Sequence, residues 1–327
     1  MRLGAVLYVY KGEWGLPSID FECLRVLCLI KFTRCPVVIE TNANPLRSGA
    51  GKLPYLQIGD EKFVGYRQIK KLLDKEGYAI NHELRKKDLH LSECFANWVF
   101  TKLHVYYHYY LYGEPNNFDI TRALYAKRTP FPFNFYYPST YQKDAHDIVS
   151  IMGGFDIDDK LENHNVEYIT SEAKKCINVL SKRLGRNLWF FGDKYSEFDA
   201  IVFSYLAILF KITLPTNPIQ NHLKGCPNLV NFINRISRDI FKKEAFNSIN
   251  TSKDNASPND PMLTATERKF LESEKKTKIL AGIGAVVAMG SFAAMKIFYK
   301  KFYSSNDHYD VGIHYDDDDD MDEDDMD

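Results

Sequence analysis

Residues 51–64 read GKLPYLQIGDEKFV, and their order decides the fold. Gly51-Lys52-Leu53-Pro54 leads into the strand-like run Tyr55–Ile58. Gly59-Asp60-Glu61 then turns the chain, and Lys62–Val64 returns beside it as a hairpin. Working upstream, Val37–Glu40 is β-branched strand material and Val6–Tyr10 is a short apolar strand. Between them Pro17-Ser18-Ile19-Asp20 opens a helix that reaches about Phe32, with Ser18 as N-cap and Asp20 and Glu22 in the positive first turn. Downstream, Ile69, Leu72 and Leu73 share one face of a helix that stops at Gly77. The order over residues 1–80 is therefore strand, helix, strand, strand, strand, helix.

That order, with a proline ahead of the third strand, predicts a thioredoxin-like α/β domain over residues 1–80. From His82 the pattern is helical throughout. Leu89–Tyr112, Asp119–Ala126, Thr140–Met152, Tyr168–Leu184, Ala200–Phe210 and Asn228–Phe241 read as helices, with the Pro-rich Pro130–Phe133 between the second and third. Ser196-Glu197-Phe198-Asp199 caps Ala200–Phe210, which is apolar all round and is expected at the centre of an all-α domain over residues 81–246. Residues 247–274 read as a linker, 275–301 as a transmembrane segment and 302–327 as an acidic tail. A thioredoxin-like domain followed by a helical one resembles the glutathione-transferase architecture.

The 327 residues balance 42 Lys and Arg against 43 Asp and Glu, but the balance is uneven along the chain. The twelve acids of Asp307–Asp327 hide a basic remainder, so the net charge of −1 becomes +11 without that tail. The basic residues are scattered singly, and no nucleic-acid signature is present. The six cysteines, at 23, 28, 35, 94, 176 and 226, form no C-x-x-C pair and read as reduced, mostly buried thiols. The N-terminus lacks the pattern of a signal peptide or a mitochondrial presequence.

Ile279–Met295 reads ILAGIGAVVAMGSFAAM, 17 residues without a charge. With Lys296 snorkelling, residues 279–299 reach about 31 Å as a helix, one hydrocarbon thickness. Only the 26 residues Phe302–Asp327 follow, which predicts insertion as a tail anchor with lipid contact through residues 279–299. Its modest apolarity and flanking lysines favour the mitochondrial outer membrane over the endoplasmic reticulum.

Candidate chemistry is sparse. Transferases of this architecture activate the glutathione thiol with a Tyr, Ser or Cys after the first strand, where this chain offers only Ser18. They hold the γ-glutamyl group with an acid–Ser pair after the fourth strand, where this chain has Gly65-Tyr66-Arg67. Leu53-Pro54 matches their structural proline. His104 and His108 are spaced as a metal pair, but the tyrosines around them make a packed aromatic face the better reading. Cys23 and Cys28, five apart on one helix, read as core. The acidic runs Asp316–Asp320 and Asp322–Asp325 read as a solvated tail. No catalytic, cofactor-binding or metal-binding residue is assigned, and no cofactor is expected.

Five stretches carry a closer resemblance: GEWGLPS at 12–18, PFPFN at 130–134, FFGD at 190–193, FDAIVFSYL at 198–206 and PNLVNFINRI at 227–236. Together they resemble the metaxin family, from about Leu7 to Phe241, and the anchor matches its membrane-anchored type. The resemblance implies a non-enzymatic protein of the mitochondrial outer membrane. Its body would face the cytosol and its tail the intermembrane space. It also implies work with the sorting and assembly machinery for β-barrel insertion, with protein import and with mitochondrial positioning. The implied partners are a second metaxin and the β-barrel assembly core. The alternative is a membrane-tethered enzyme of the glutathione-transferase type.

Overall fold

In a computed structural model the chain is described over residues 4–41, 43–81, 84–131, 133–154 and 163–241. The linker, the apolar segment 279–299 and the acidic tail lie outside these residues. Among the described residues no helix is long and apolar enough to cross a membrane.

Four short strands form one sheet: β1 (Val6–Tyr8), β2 (Val38–Glu40), β3 (Tyr55–Ile58) and β4 (Glu61–Val64), in the order β2-β1-β3-β4. β1 pairs in parallel with β2, Val6 opposite Val38. β3 runs antiparallel to β1, Leu7 opposite Leu56, and β4 closes the hairpin with Val64 opposite Tyr55. The parallel pair needs a crossover, which α1 (Phe21–Phe32) supplies. Helix α2 (Gly65–Lys75) follows β4 and buries Tyr66, Ile69 and Leu73. The Leu53–Pro54 peptide is cis. The strand order and the proline step agree with the thioredoxin-like expectation.

The helical part begins with α3 (Lys86–Val99) and passes through a wide turn at Phe100–His104 into α4 (Val105–His108). A second wide turn, Tyr109–Gly113, leads to α5 (Pro115–Ala126). Then come α6 (Phe133–Ile148), α7 (Asn163–Leu184), α8 (Glu197–Lys211), α9 (Pro218–Lys224) and α10 (Pro227–Arg235). Helix α8 is buried from Phe198 to Leu209, as its all-round apolarity predicts. Its start is a capping box: Asp199 accepts from the Ser196 amide at 2.8 Å and the Ser196 hydroxyl at 2.6 Å.

Three sequence expectations need correction. The N-cap of α1 is Asp20, not Ser18; the Asp20 carboxylate accepts from the Cys23 amide at 2.8 Å. Helix α6 starts at Phe133, seven residues before Thr140, with Pro138 inside it. Pro138, in the second turn, has no amide to donate to the Asn134 carbonyl four residues back. Ser139 and Thr140 hydroxyls each donate to a carbonyl four residues back, at 3.2 Å. Helix α9 is absent from the sequence reading; its N-cap, Asn217, accepts from the Gln220 amide at 3.3 Å.

The sheet domain and the helices share one core. Phe21 of α1 packs against Tyr205 of α8, centroids 4.9 Å apart, and edge-on against Tyr107 at 5.2 Å. Burying such rings contributes about 1.5–3 kcal/mol each.

Candidate functional site

The transferase resemblance directs attention to three places: the loop after β1, the proline turn before β3, and the start of α2. The first two are packed by the chain's own side chains, and the third opens on a cleft.

The loop Gly12–Ser18 folds tightly back on itself. A Cβ on Gly12 would stand 1.9 Å from the Leu16 carbonyl oxygen, so only glycine fits. Trp14 and Gly15 both take positive φ, 55° and 76°. Arg128, just beyond α5, holds this loop: its guanidinium donates to the Lys11 carbonyl at 2.8 Å, to the Gly12 carbonyl at 3.4 Å and to the Glu13 carboxylate. Ser18 is fully buried, and its hydroxyl accepts from the Asp20 amide at 3.4 Å. The residue that resemblance marks as thiol activator therefore faces no solvent.

Helix α6 lies across the mouth of this region. The Tyr141 hydroxyl bonds to that of buried Tyr10, and Tyr137 is buried with its hydroxyl beside Gly51 of the proline turn. Lys52 pairs with Asp144 of the same helix at 3.8 Å.

At the start of α2, Tyr66 turns inward. Its hydroxyl donates to Glu197 at 2.5 Å, and the Arg25 guanidinium sits 3.4 Å from its ring centroid. Glu197 is a hub. It also takes Arg25 at 3.3 Å, the Asn81 amide at 3.3 Å and Lys70 at 3.8 Å. In return, the Asn81 carbonyl accepts from the Glu197 backbone at 3.0 Å. One carboxylate at the head of α8 thus ties α1, α2 and the connection between the domains. Sequence reading assigned this residue only to a cap, and missed Arg128 altogether. Both act on partners more than 100 residues away, for which no local pattern exists.

A cleft of about 960 Å³ remains between α1, α2, α3 and α8. Its floor is apolar, with Phe21, Phe100, Ile201 and Tyr205; Arg67 and Lys71 stand on one wall and Glu22 on another. Burial, opposed in part by Arg25, lifts the Glu22 carboxyl to about 6 from an ordinary 4.5. The ionised form is therefore the unfavourable one in the folded chain. Stability from this group is fully present below pH 4.5 and is lost as pH rises through about 6. Glu22→Gln is expected to remove that slope. Near pH 7 the variant should be more stable by up to about 2 kcal/mol, a gain that shrinks to nothing below pH 4.5. Denaturant titrations across this range check it; a wild-type-to-variant difference that stays constant with pH contradicts it.

No thiol or hydroxyl here is activated. Burial pushes Cys23 and Cys28 well up, with Asp20 adding to the first and Asp199 to the second. Both are core residues, as expected, and cannot present a thiolate. Burial also raises Tyr10. His104 and His108 lie with ring centroids 4.3 Å apart inside the aromatic face. The His104 Nδ1 bonds to the Tyr205 hydroxyl at 2.9 Å, while burial holds its imidazole down at about 4. Both His108 ring nitrogens are buried without a partner. Among the described residues no three His, Cys, Asp or Glu side chains converge as a metal site.

Comparison with known proteins gives a consistent picture. The profile of a family described as outer mitochondrial membrane transport complex protein matches residues 23–142, and that of the glutathione S-transferase C-terminal domain matches 173–236. Among solved structures, a glutathione transferase from Phanerochaete chrysosporium aligns over 74% of this chain and 96% of its own, with 10% identity and a TM-score of 0.47. A metaxin-1 homologue of Drosophila melanogaster is 64% identical over 97% of both chains. Metaxin-1 of Mus musculus is 31% identical over 86% of this chain and 87% of its own. Metaxin-3 of Xenopus laevis is 31% identical over 72% of this chain and 76% of its own. On these grounds the chain belongs to the metaxin family.

Proposed function

We propose that the chain is a non-enzymatic subunit of a protein-transport assembly in the mitochondrial outer membrane. The observation that carries this reading is the packing of the loop after β1. Ser18 is buried, Tyr137 stands beside Gly51 of the proline turn, Tyr141 bonds to Tyr10, and Tyr66 spends its hydroxyl on Glu197. A scaffold whose thiol-activating position is buried and whose acid–Ser pair is missing offers surface rather than catalysis. Membership of the metaxin family, and the match over residues 23–142 to a transport-complex family, support the same direction.

In this reading residues 1–80 and 81–246 form a body that faces the cytosol. Residues 247–274 link it to an anchor at 275–301, and the acidic tail 302–327 reaches the intermembrane space. The finer assignment is a subunit or adaptor of the sorting and assembly machinery for β-barrel proteins, beside a second metaxin. Affinity purification from detergent-solubilised mitochondria tests it directly. A β-barrel assembly core and a second metaxin should co-purify in stoichiometric amounts, and their absence counts against the assignment.

The reading also excludes glutathione chemistry. The chain is expected to pass through glutathione resin unretained and to conjugate no general electrophile. Turnover that disappears on changing Ser18 to Ala overturns this and revives a membrane-tethered transferase.

A further inference from the structure

From Ile120 to Lys143 the chain carries four basic residues and no acidic one. At its centre Pro130–Pro138 reads PFPFNFYYP, nine residues without a charge. The structure divides these side chains. Tyr137 and Pro138 are buried, whereas Phe131, Phe135 and Tyr136 stand 52%, 60% and 62% exposed. The rings of Phe131 and Phe135 meet edge-on at 6.3 Å, and Tyr136 meets the buried Tyr137 at 5.4 Å. This is a firm aromatic shelf, backed by core, at the first turn of α6. Single exposed apolar residues need no explanation, but three large exposed rings within six residues do.

Between Ile120 and Lys143 the charges are of one sign. Lys127, four residues before Phe131, is exposed, and so is Lys143, which falls on the Tyr136 face of α6 seven residues on. Two neighbouring acids are committed, Glu13 to Arg128 and Asp144 to Lys52, while exposed Asp147 lies one turn beyond Lys143. Projecting aromatics with a cationic rim suit a headgroup layer, where rings sit at the interface and lysines meet lipid phosphates.

We propose that Phe131, Phe135 and Tyr136 dip into the interface of a bilayer containing anionic lipid, with Lys127 and Lys143 set against its phosphates. The inference rests on the anchored reading for one point, the high local concentration of membrane. The 37 residues between Phe241 and Ile279 can span roughly 120 Å at full extension. A tethered body therefore reaches the surface freely, and a weak contact suffices.

The test uses the full chain carrying Cys94→Ser and Tyr136→Cys, which leaves the other five cysteines buried. An environment-sensitive dye is placed on the new thiol, and the protein is reconstituted into vesicles of phosphatidylcholine and phosphatidylserine. Dye emission is expected to shift to the blue and to fall about twofold when the vesicles contain lipid spin-labelled near the headgroup. The same dye on the native Cys94 of α3 reports the background. Removing phosphatidylserine, or changing Lys127 and Lys143 to Gln, should weaken the quenching. A solvent-like, unquenched dye on inserted protein overturns the proposal. A dye shielded in native membranes but not in pure lipid overturns it too, because the shelf then meets a protein. Insertion is scored separately by resistance to alkaline carbonate. If it fails, the anchor reading fails alone. The unanchored chain must still float with the anionic vesicles and lose this when all three aromatics become Ser.

Discussion

An Asp199→Ala chain is expected to lose about 3–5 kcal/mol of stability near neutral pH, a large share of what holds a domain of ordinary stability. Asp199 is fully buried and accepts three hydrogen bonds: the Phe190 amide at 3.0 Å, the Ser196 amide at 2.8 Å and the Ser196 hydroxyl at 2.6 Å. Removing the carboxylate leaves three donors without a partner in a place water does not reach, at about 1–3 kcal/mol each. It also frees the start of α8, the helix that runs buried through the centre of the molecule. The same residue fixes the loop before it, because Phe190 packs edge-on against Phe198 and Phe232 at 5.1 and 5.4 Å. Burial lifts this carboxyl to about 6 despite its hydrogen bonds, so near neutrality the ionised form accepts all three. Exposed Asp119 serves as the control, and Asp119→Ala should fall within about 0.5 kcal/mol of wild type. Urea unfolding compares the two; an Asp199→Ala midpoint matching that of the control contradicts the account.

How much of this was legible follows from the range of each interaction. The hairpin at Tyr55–Val64 and the cap of α8 are written in neighbouring residues, and both appear as read. The start of α1 was misplaced because Ser18 and Asp20 are both good caps two positions apart. What decides between them is the burial of Ser18, a tertiary fact. Helix α6 was started late because three prolines in nine residues read as breakers. Tyr137 and Tyr141, packed against Gly51 and Tyr10, supply the reason to hold a helix there anyway. Helix α9 has seven residues, too few for its periodicity to register.

The candidate site was legible in outline only. The sequence of the α2 turn, Gly65-Tyr66-Arg67, lacks the acid and the hydroxyl of a γ-glutamyl pocket. It could not reveal that Tyr66 bonds to Glu197, 131 residues away, or that Arg128 clamps a loop 115 residues before it. These two contacts join the sheet domain to the helices at the start of α2 and at the loop after β1.

Ending the chain at Lys278 is expected to move it from the membrane to the soluble fraction almost completely. The segment that is removed holds 17 uncharged residues, and a helix of 21 residues here would match a hydrocarbon core about 30 Å thick. Leaving that core would expose every apolar side chain of the segment to water, so a spanning anchor does not exchange on the time scale of a wash. The aromatic shelf is a different kind of attachment. Three rings and two lysines give a contact that high pH and salt reverse, because its charge component is screened over about 10 Å at ordinary ionic strength. The two attachments therefore separate cleanly. Full-length chain should resist alkaline carbonate, whereas the shortened chain should be released by it and retain only a salt-sensitive affinity for anionic vesicles. The body should stay folded, since the core formed by the described residues runs from Ala5 to Phe241, ahead of the truncation. Fractionation of cells expressing each form, followed by carbonate extraction, reads the outcome. If the shortened chain still resists carbonate, the anchor lies elsewhere and the orientation proposed for the body and the tail falls with it.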